Sequence, residues 1–80
     1  MKLKLLFFGI TSDLMGVRQL EIALEGLASV AYLKRVLEEK YPQLKDCNSY
    51  AFAVNEAYAL DSLLLKENDV VALIPPVSGG

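Results

Sequence analysis

The residues with the clearest chemical potential stand at the end of the chain, where Pro75-Pro76 is followed by Val77-Ser78 and then Gly79-Gly80. Two prolines stiffen the backbone and two glycines carry no side chains, so residues 77–80 read as a narrow, flexible, projecting tail. Such a tail fits a tunnel only as wide as a peptide backbone. Its last group is the α-carboxylate of Gly80, unhindered for want of a Cβ. A carboxylate is a poor electrophile. Activated as an acyl-adenylate, it accepts a sulfur nucleophile and becomes a thiocarboxylate, which can deliver sulfur into another protein's active site. Such a carrier needs a reachable carboxylate and a recognisable body, but no catalytic side chain of its own. The plain alternative is that Gly79-Gly80 is an indifferent chain end, which a bare glycine pair also fits. The Pro-Pro placed directly after an apolar strand favours the carrier.

Little else in the sequence offers chemistry. The 80 residues include no histidine and one cysteine, Cys47. That removes the commonest general base, most metal sites and any internal disulfide, so no metal or bound cofactor is expected. A reactive thiol wants positive charge beside it, and Cys47 has only Lys45, so it reads as incidental. Asp13, Glu56 and Asp61 are scattered over turns without a second group at defined spacing, so turn and cap roles suit them. Lys34, Arg35 and Lys66 read as solvated charges. A net charge of -2, from 8 basic and 10 acidic residues, gives no footprint for nucleic acid. No apolar run reaches the roughly 18 residues of a membrane span. A lone cysteine and no signal peptide fit the reducing cytoplasm.

The elements that must carry this tail fit one domain over residues 1–80, with 77–80 as its functional end. Lys2 to Phe8 alternates as a strand, Leu3, Leu5 and Phe7 on one face and Leu6 and Phe8 ending the other. Gly9 to Arg18 reads as a loop. Gln19 to Glu25 alternates again and pairs back as a hairpin. Ser29 caps a helix from Val30 to about Tyr41, with Val30, Leu33, Val36, Leu37 and Tyr41 on its apolar face, and Pro42 stops it. Gln43 to Ser49 is a polar connection. Tyr50 to Val54 is a third strand, Asn55-Glu56 begins a turn, and Tyr58 to Leu60 is a short fourth strand. Asp61 to Leu65 fits a helical turn no better than a loop. Asn68 is the natural positive-φ residue of the next turn. Val70 to Ile74 is apolar throughout, as a central strand should be, and Pro75 ends it.

Two hairpinned strands, a crossing helix and a buried last strand parallel to the first describe an α+β β-grasp, a mixed sheet of four to five strands over one main helix. In that arrangement Leu6, Phe8, Val70, Ala72 and Ile74 share the sheet face away from the helix. They form a partner-binding patch continued by Pro75, Pro76, Val77 and Ser78, or else a core covered by a loop.

The segment from Asp69 to Gly80 resembles the C-terminal signature of molybdopterin synthase small subunits, which are ubiquitin-like sulfur carriers. Leu5-Leu6-Phe7-Phe8-Gly9, Leu14-Met15-Gly16 and Val54-Asn55-Glu56 resemble other landmarks of that family, so the similarity spans the chain. It implies that an adenylating, ubiquitin-activating-like enzyme forms a Gly80 adenylate and then a thiocarboxylate. It further implies that Gly79 and Gly80 enter the active site of a molybdopterin synthase large subunit, in a heterotetramer, where sulfur passes to cyclic pyranopterin monophosphate. Many relatives carry Gly-Asp-Glu where this chain has Asn68-Asp69-Val70, and a common first-loop Arg is Ser12 here. Two other readings share the fold: a thiamine-pathway sulfur carrier, and a β-grasp interaction module whose tail only docks.

Overall fold

In a computed structural model of the chain, residues 1–47 and 49–76 are described. Five strands form one sheet: β1 (Lys2–Phe7), β2 (Gln19–Ala23), β3 (Ala51–Val54), β4 (Ala57–Tyr58) and β5 (Val70–Ile74). Their order across the sheet is β2-β1-β5-β3-β4. β1 runs antiparallel to β2 and parallel to β5, and β5 runs antiparallel to β3. The last strand is therefore central, as its continuous apolar run predicts.

One helix, α2 (Val30–Lys40), covers one face of the sheet; α1 (Ile10–Met15) is a single short helix between β1 and β2. Ser29 caps α2, its Oγ accepting from the Tyr32 N–H at 3.2 Å. Val30, Leu33 and Leu37, spaced at one and two turns, are fully buried against Leu3, Leu5 and Phe7 of β1, Ile22 of β2, Phe52 and Val54 of β3, and Val71 and Leu73 of β5. Period-two alternation along each strand therefore decides which residues meet the helix and which face outward.

Four segments differ from the sequence reading, the fourth strand among them: expected over Tyr58 to Leu60, it is Ala57–Tyr58, set by the pairing of Ala57 with Val54 across the Asn55-Glu56 turn. Residues 10–15, read as loop, form α1, started after Gly9 and closed by a left-handed Gly16 whose N–H bonds to the Ser12 carbonyl. Pro42 does end α2, but it also begins a 3₁₀ helix, Pro42–Asp46, that buries Leu44 completely and Cys47 nearly so. Proline suits that first position because its missing N–H has no partner to lose there. Residues 61–65 are not helical; the Ser29–Leu64 bridge and the Leu65 N–H to Ala28 carbonyl bond lay them beside the start of α2. Leu65 turns into the core, whereas Leu63 and Leu64 stay exposed.

The turn into β5 is fixed by two side chains. Asp69 is buried; its Oδ1 accepts from Asn55 Nδ2 at 2.9 Å and its Oδ2 from the Lys66 N–H at 2.8 Å. Asn55 in turn accepts from the Val70 N–H at 3.0 Å and donates its own N–H to the Val70 carbonyl at 2.8 Å. Asn68 has φ 68° in this turn, the left-handed conformation expected of it.

Candidate functional site

β5 delivers the chain to its C-terminal segment. On one side its final residue pairs in register with β3, Ala51 opposite Ile74; on the other, the ladder with β1 ends at Phe7 opposite Leu73. Beyond that point the β1 side is held by α1 and the residues before it. The Phe8 N–H donates to the Leu73 carbonyl at 3.3 Å, and Thr11 Oγ1 lies 3.3 Å from the same oxygen. The one Thr11 hydroxyl proton is shared between the Phe8 carbonyl, at 2.6 Å, and the more distant Leu73 carbonyl, and Oγ1 accepts from the Phe8 N–H at 2.9 Å. Thr11 is 0% exposed, so this hydroxyl has no water to turn to.

Pro75 then seats over Gly9. Gly9 has φ 55°, and a Cβ there would stand 2.8 Å from Pro75 Cγ, closer than any real Cβ contact. Gly9 is thus required twice, for its backbone angle and for the approach of Pro75. Pro75 is half-buried on this seat and Pro76 is exposed. Val77, Ser78, Gly79 and Gly80, all candidate residues from the sequence, lie outside the described residues.

Next to this root the outer sheet face carries an apolar groove of about 300 Å³ lined by Leu6, Phe8, Ala53, Glu56, Tyr58, Val70, Ala72 and Ile74. Register accounts for its shape. Leu6 lies opposite Ala72, Ala72 opposite Ala53, and Ala53 opposite Tyr58, so one row crosses four strands on a single face. Two alanines in the middle make the hollow, with Leu6 and Phe8 on one wall and Tyr58 on the other. Phe8 is 49% exposed and Tyr58 75%, a large apolar area left to solvent. Towards β2 the same face turns polar, with Lys4 opposite Glu21 and Lys2 opposite Ala23.

The structure therefore brings Leu6, Phe8 and Ile74 together in this groove with Val70 and Ala72, whereas Pro75 lies outside its lining, against Gly9, and Pro76 is exposed. Tyr58 and Ala53, which sequence reasoning did not assign to the patch, complete it. Their signal was present in strand parity, but the pairing of β3 with β5 was needed to read it. Thr11 had no signal, because Ile-Thr-Ser-Asp reads equally well as a turn. Among the described residues no helix is long and apolar enough to cross a membrane, and no group of three or more acidic or cysteine side chains is placed to hold a metal ion.

Comparison with known proteins agrees with this architecture. A putative molybdopterin converting factor, subunit 1, from Pyrococcus furiosus superposes with a TM-score of 0.86 at 29% identity, over 95% of this chain and 98% of that one. In the complex of subunits 1 and 2 of the molybdopterin-converting factor from Helicobacter pylori, the matching chain has a TM-score of 0.74 at 29% identity, covering 100% of both chains. A molybdopterin synthase sulfur carrier subunit of Arabidopsis thaliana is 32% identical over 99% of this chain and 83% of its own length. The ThiS family model matches residues 5–80, through both terminal glycines. With a β-grasp body, a central last strand and these relatives over its whole length, the chain belongs to the ThiS family.

Proposed function

We propose that this chain is the sulfur carrier subunit of a molybdopterin synthase, inactive alone and charged at Gly80. The observation that carries the reading is the combination at the end of β5. A central strand is held at the carbonyl of Leu73, its penultimate residue, Pro75 is seated on Gly9, and an open apolar groove lies alongside. The body docks through that groove, and residues 77–80 enter the partner. The family match running through residue 80 supports Gly80 as the reacting end.

In this reading the Gly80 carboxylate attacks the α-phosphate of ATP on an adenylating enzyme and releases pyrophosphate. Hydrosulfide then attacks the acyl carbon, displaces AMP and, on losing its proton, leaves the thiocarboxylate. In the large subunit, within a heterotetramer in the cytoplasm, that sulfur bonds to a carbon of cyclic pyranopterin monophosphate, and water then cleaves the acyl carbon–sulfur bond and returns Gly80 as a carboxylate. Glycine at the last two positions keeps both the adenylating site and the transfer site free of side-chain clashes. The partner reading has a counterpart in the Helicobacter pylori protein, whose structure is a complex of subunits 1 and 2. The curated relatives named as molybdopterin synthase subunits do not favour the thiamine-pathway reading or a docking-only module.

Intact mass tests it. Incubated with an adenylating enzyme, ATP and sulfide, the chain should gain about 16 Da as its terminal OH is exchanged for SH. A chain lacking Gly80 should support no molybdopterin formation yet melt at the same temperature, because its new end falls roughly 3.3–3.6 Å short of the reacting position. Full turnover without Gly80 would sink the proposal.

A further inference from the structure

We infer that Thr11 is a positioning residue for the sulfur-bearing tail, fixing through the Leu73 carbonyl the point from which Ile74-Pro75-Pro76 leaves the sheet. The inference rests on the sulfur-carrier reading above. Its basis is the asymmetry at the end of β5. On the β3 side the ladder continues to Ile74, whereas on the β1 side it stops at Leu73. Past that register only the Phe8 N–H and Thr11 Oγ1, both at 3.3 Å, reach the Leu73 carbonyl among the described residues. Thr11 is the one side chain of the two, and it spans 62 residues of sequence to get there. It also holds both polar groups of Phe8, at 2.9 and 2.6 Å, and so fixes the peptide leading into Gly9, on which Pro75 sits.

The root matters because docking and delivery use different parts of the molecule. The groove sets where the body sits on a partner. The root sets where residues 77–80 begin relative to that body. A root free to shift leaves docking intact but lowers the fraction of docked complexes with Gly80 at reacting distance. Thr11 does not line the groove, and it meets the groove residue Phe8 only at that residue's backbone N–H and carbonyl, so its effect should appear in the transfer step rather than in affinity.

The test uses carrier bearing a C-terminal thiocarboxylate made by sulfide cleavage of an intein thioester, which bypasses adenylation. Sulfur transfer to cyclic pyranopterin monophosphate is followed with increasing large subunit, below the melting temperature of every variant. Thr11→Val keeps the volume and removes the hydroxyl; Thr11→Ser keeps the hydroxyl and removes the methyl. Thr11→Val should lower the transfer rate at saturating large subunit by roughly tenfold or more, because ångström-scale misplacement of reacting atoms is costly. The large-subunit concentration giving half the maximal rate should stay unchanged, and Thr11→Ser should recover most of the rate. Transfer by Thr11→Val at the wild-type rate overturns the inference. So does an equal fall in Val and Ser variants that tracks melting temperature, which would make Thr11 a packing residue only. If wild-type thiocarboxylate transfers no sulfur, the sulfur-carrier reading itself fails, and this inference with it.

Discussion

Tyr50, just before β3, ties the helix to the sheet through three contacts at once. Its hydroxyl donates to Glu38 Oε2 at 2.6 Å, its ring meets Phe52 edge-to-face at 5.5 Å, and Lys34 Nζ stands 5.5 Å over the ring centroid. Lys34 and Glu38 are one turn apart on α2, so both reach one ring. Burial first, then the hydrogen bond to Glu38 and its negative charge, push the Tyr50 phenol far above its ordinary value. The sign follows from linkage: the unfolded chain releases this proton near pH 10 while the folded chain keeps it. Its contribution to stability is therefore complete below about pH 10 and is lost progressively above. Tyr50→Phe should cost about 1 kcal/mol at pH 7, the usual worth of such a hydrogen bond. Urea unfolding at pH 7 and pH 11 should show the two proteins converging at the higher pH. A gap that stays constant would show that Tyr50 does not carry this dependence.

Among the elements, the β3–β4 hairpin is the one whose residues fit it least. Asn55 and Glu56 form a two-residue loop between paired Val54 and Ala57, with φ of 51° and 73°. Positive φ at both positions is the pattern of a type I′ turn, in which Asn-Gly is the favoured pair. Asn55 suits its place; Glu56 does not, since a left-handed residue with a Cβ is strained by about 1–2 kcal/mol. Glu56→Gly should raise stability by up to about 1 kcal/mol, after allowing for the greater freedom of glycine in the unfolded chain. Chemical denaturation would show an upward shift in midpoint with unchanged slope; a loss of stability would mean that Glu56 makes a compensating contact. Elements with a sustained period were legible from sequence: β1, β2, α2 and β5 fall within a residue or two of expectation. Those lost were too short to show one. α1 is six residues with no side-chain cap, and Thr11 is its only buried member, so no apolar stripe announces it. Leu44 is fully buried amid Gln43, Lys45 and Asp46, so the polar neighbours masked one core residue in a 3₁₀ turn. The groove was half legible: alternation placed Leu6, Phe8, Val70, Ala72 and Ile74 on one face, but Ala53 and Tyr58 joined them only through the order of the strands.

At the scale of the molecule, one sheet face is core and the other is divided between an apolar half and a charged half. The apolar half, next to the tail root, is the proposed docking surface. Ile74 is half-buried there, and a carboxylate in its place would be desolvated against an apolar partner without a counter-charge. Ile74→Glu should weaken binding to the large subunit by about 2–3 kcal/mol in titration calorimetry, as expected of a central contact. The fold should persist, because Ile74 faces away from the helix. Unfolding of this variant would instead assign Ile74 to the core, and unchanged affinity would move the docking surface elsewhere.

The parallel pairing of β1 with β5 also governs when this molecule comes into being during synthesis. Lys4 lies opposite Val70, so the central ladder joins strands 66 positions apart, 70 less 4. Until residues 70–74 leave the ribosome, β1 and β3 have nothing between them, and the core lacks Val71 and Leu73, both fully buried. Contacts this distant in sequence form late, after the loop between them is closed. A nascent or prematurely ended chain has no finished sheet, and hence no groove for a partner to grip. If the groove is the docking surface proposed above, docking competence arrives together with β5, and incomplete chains should not compete for the partner's site.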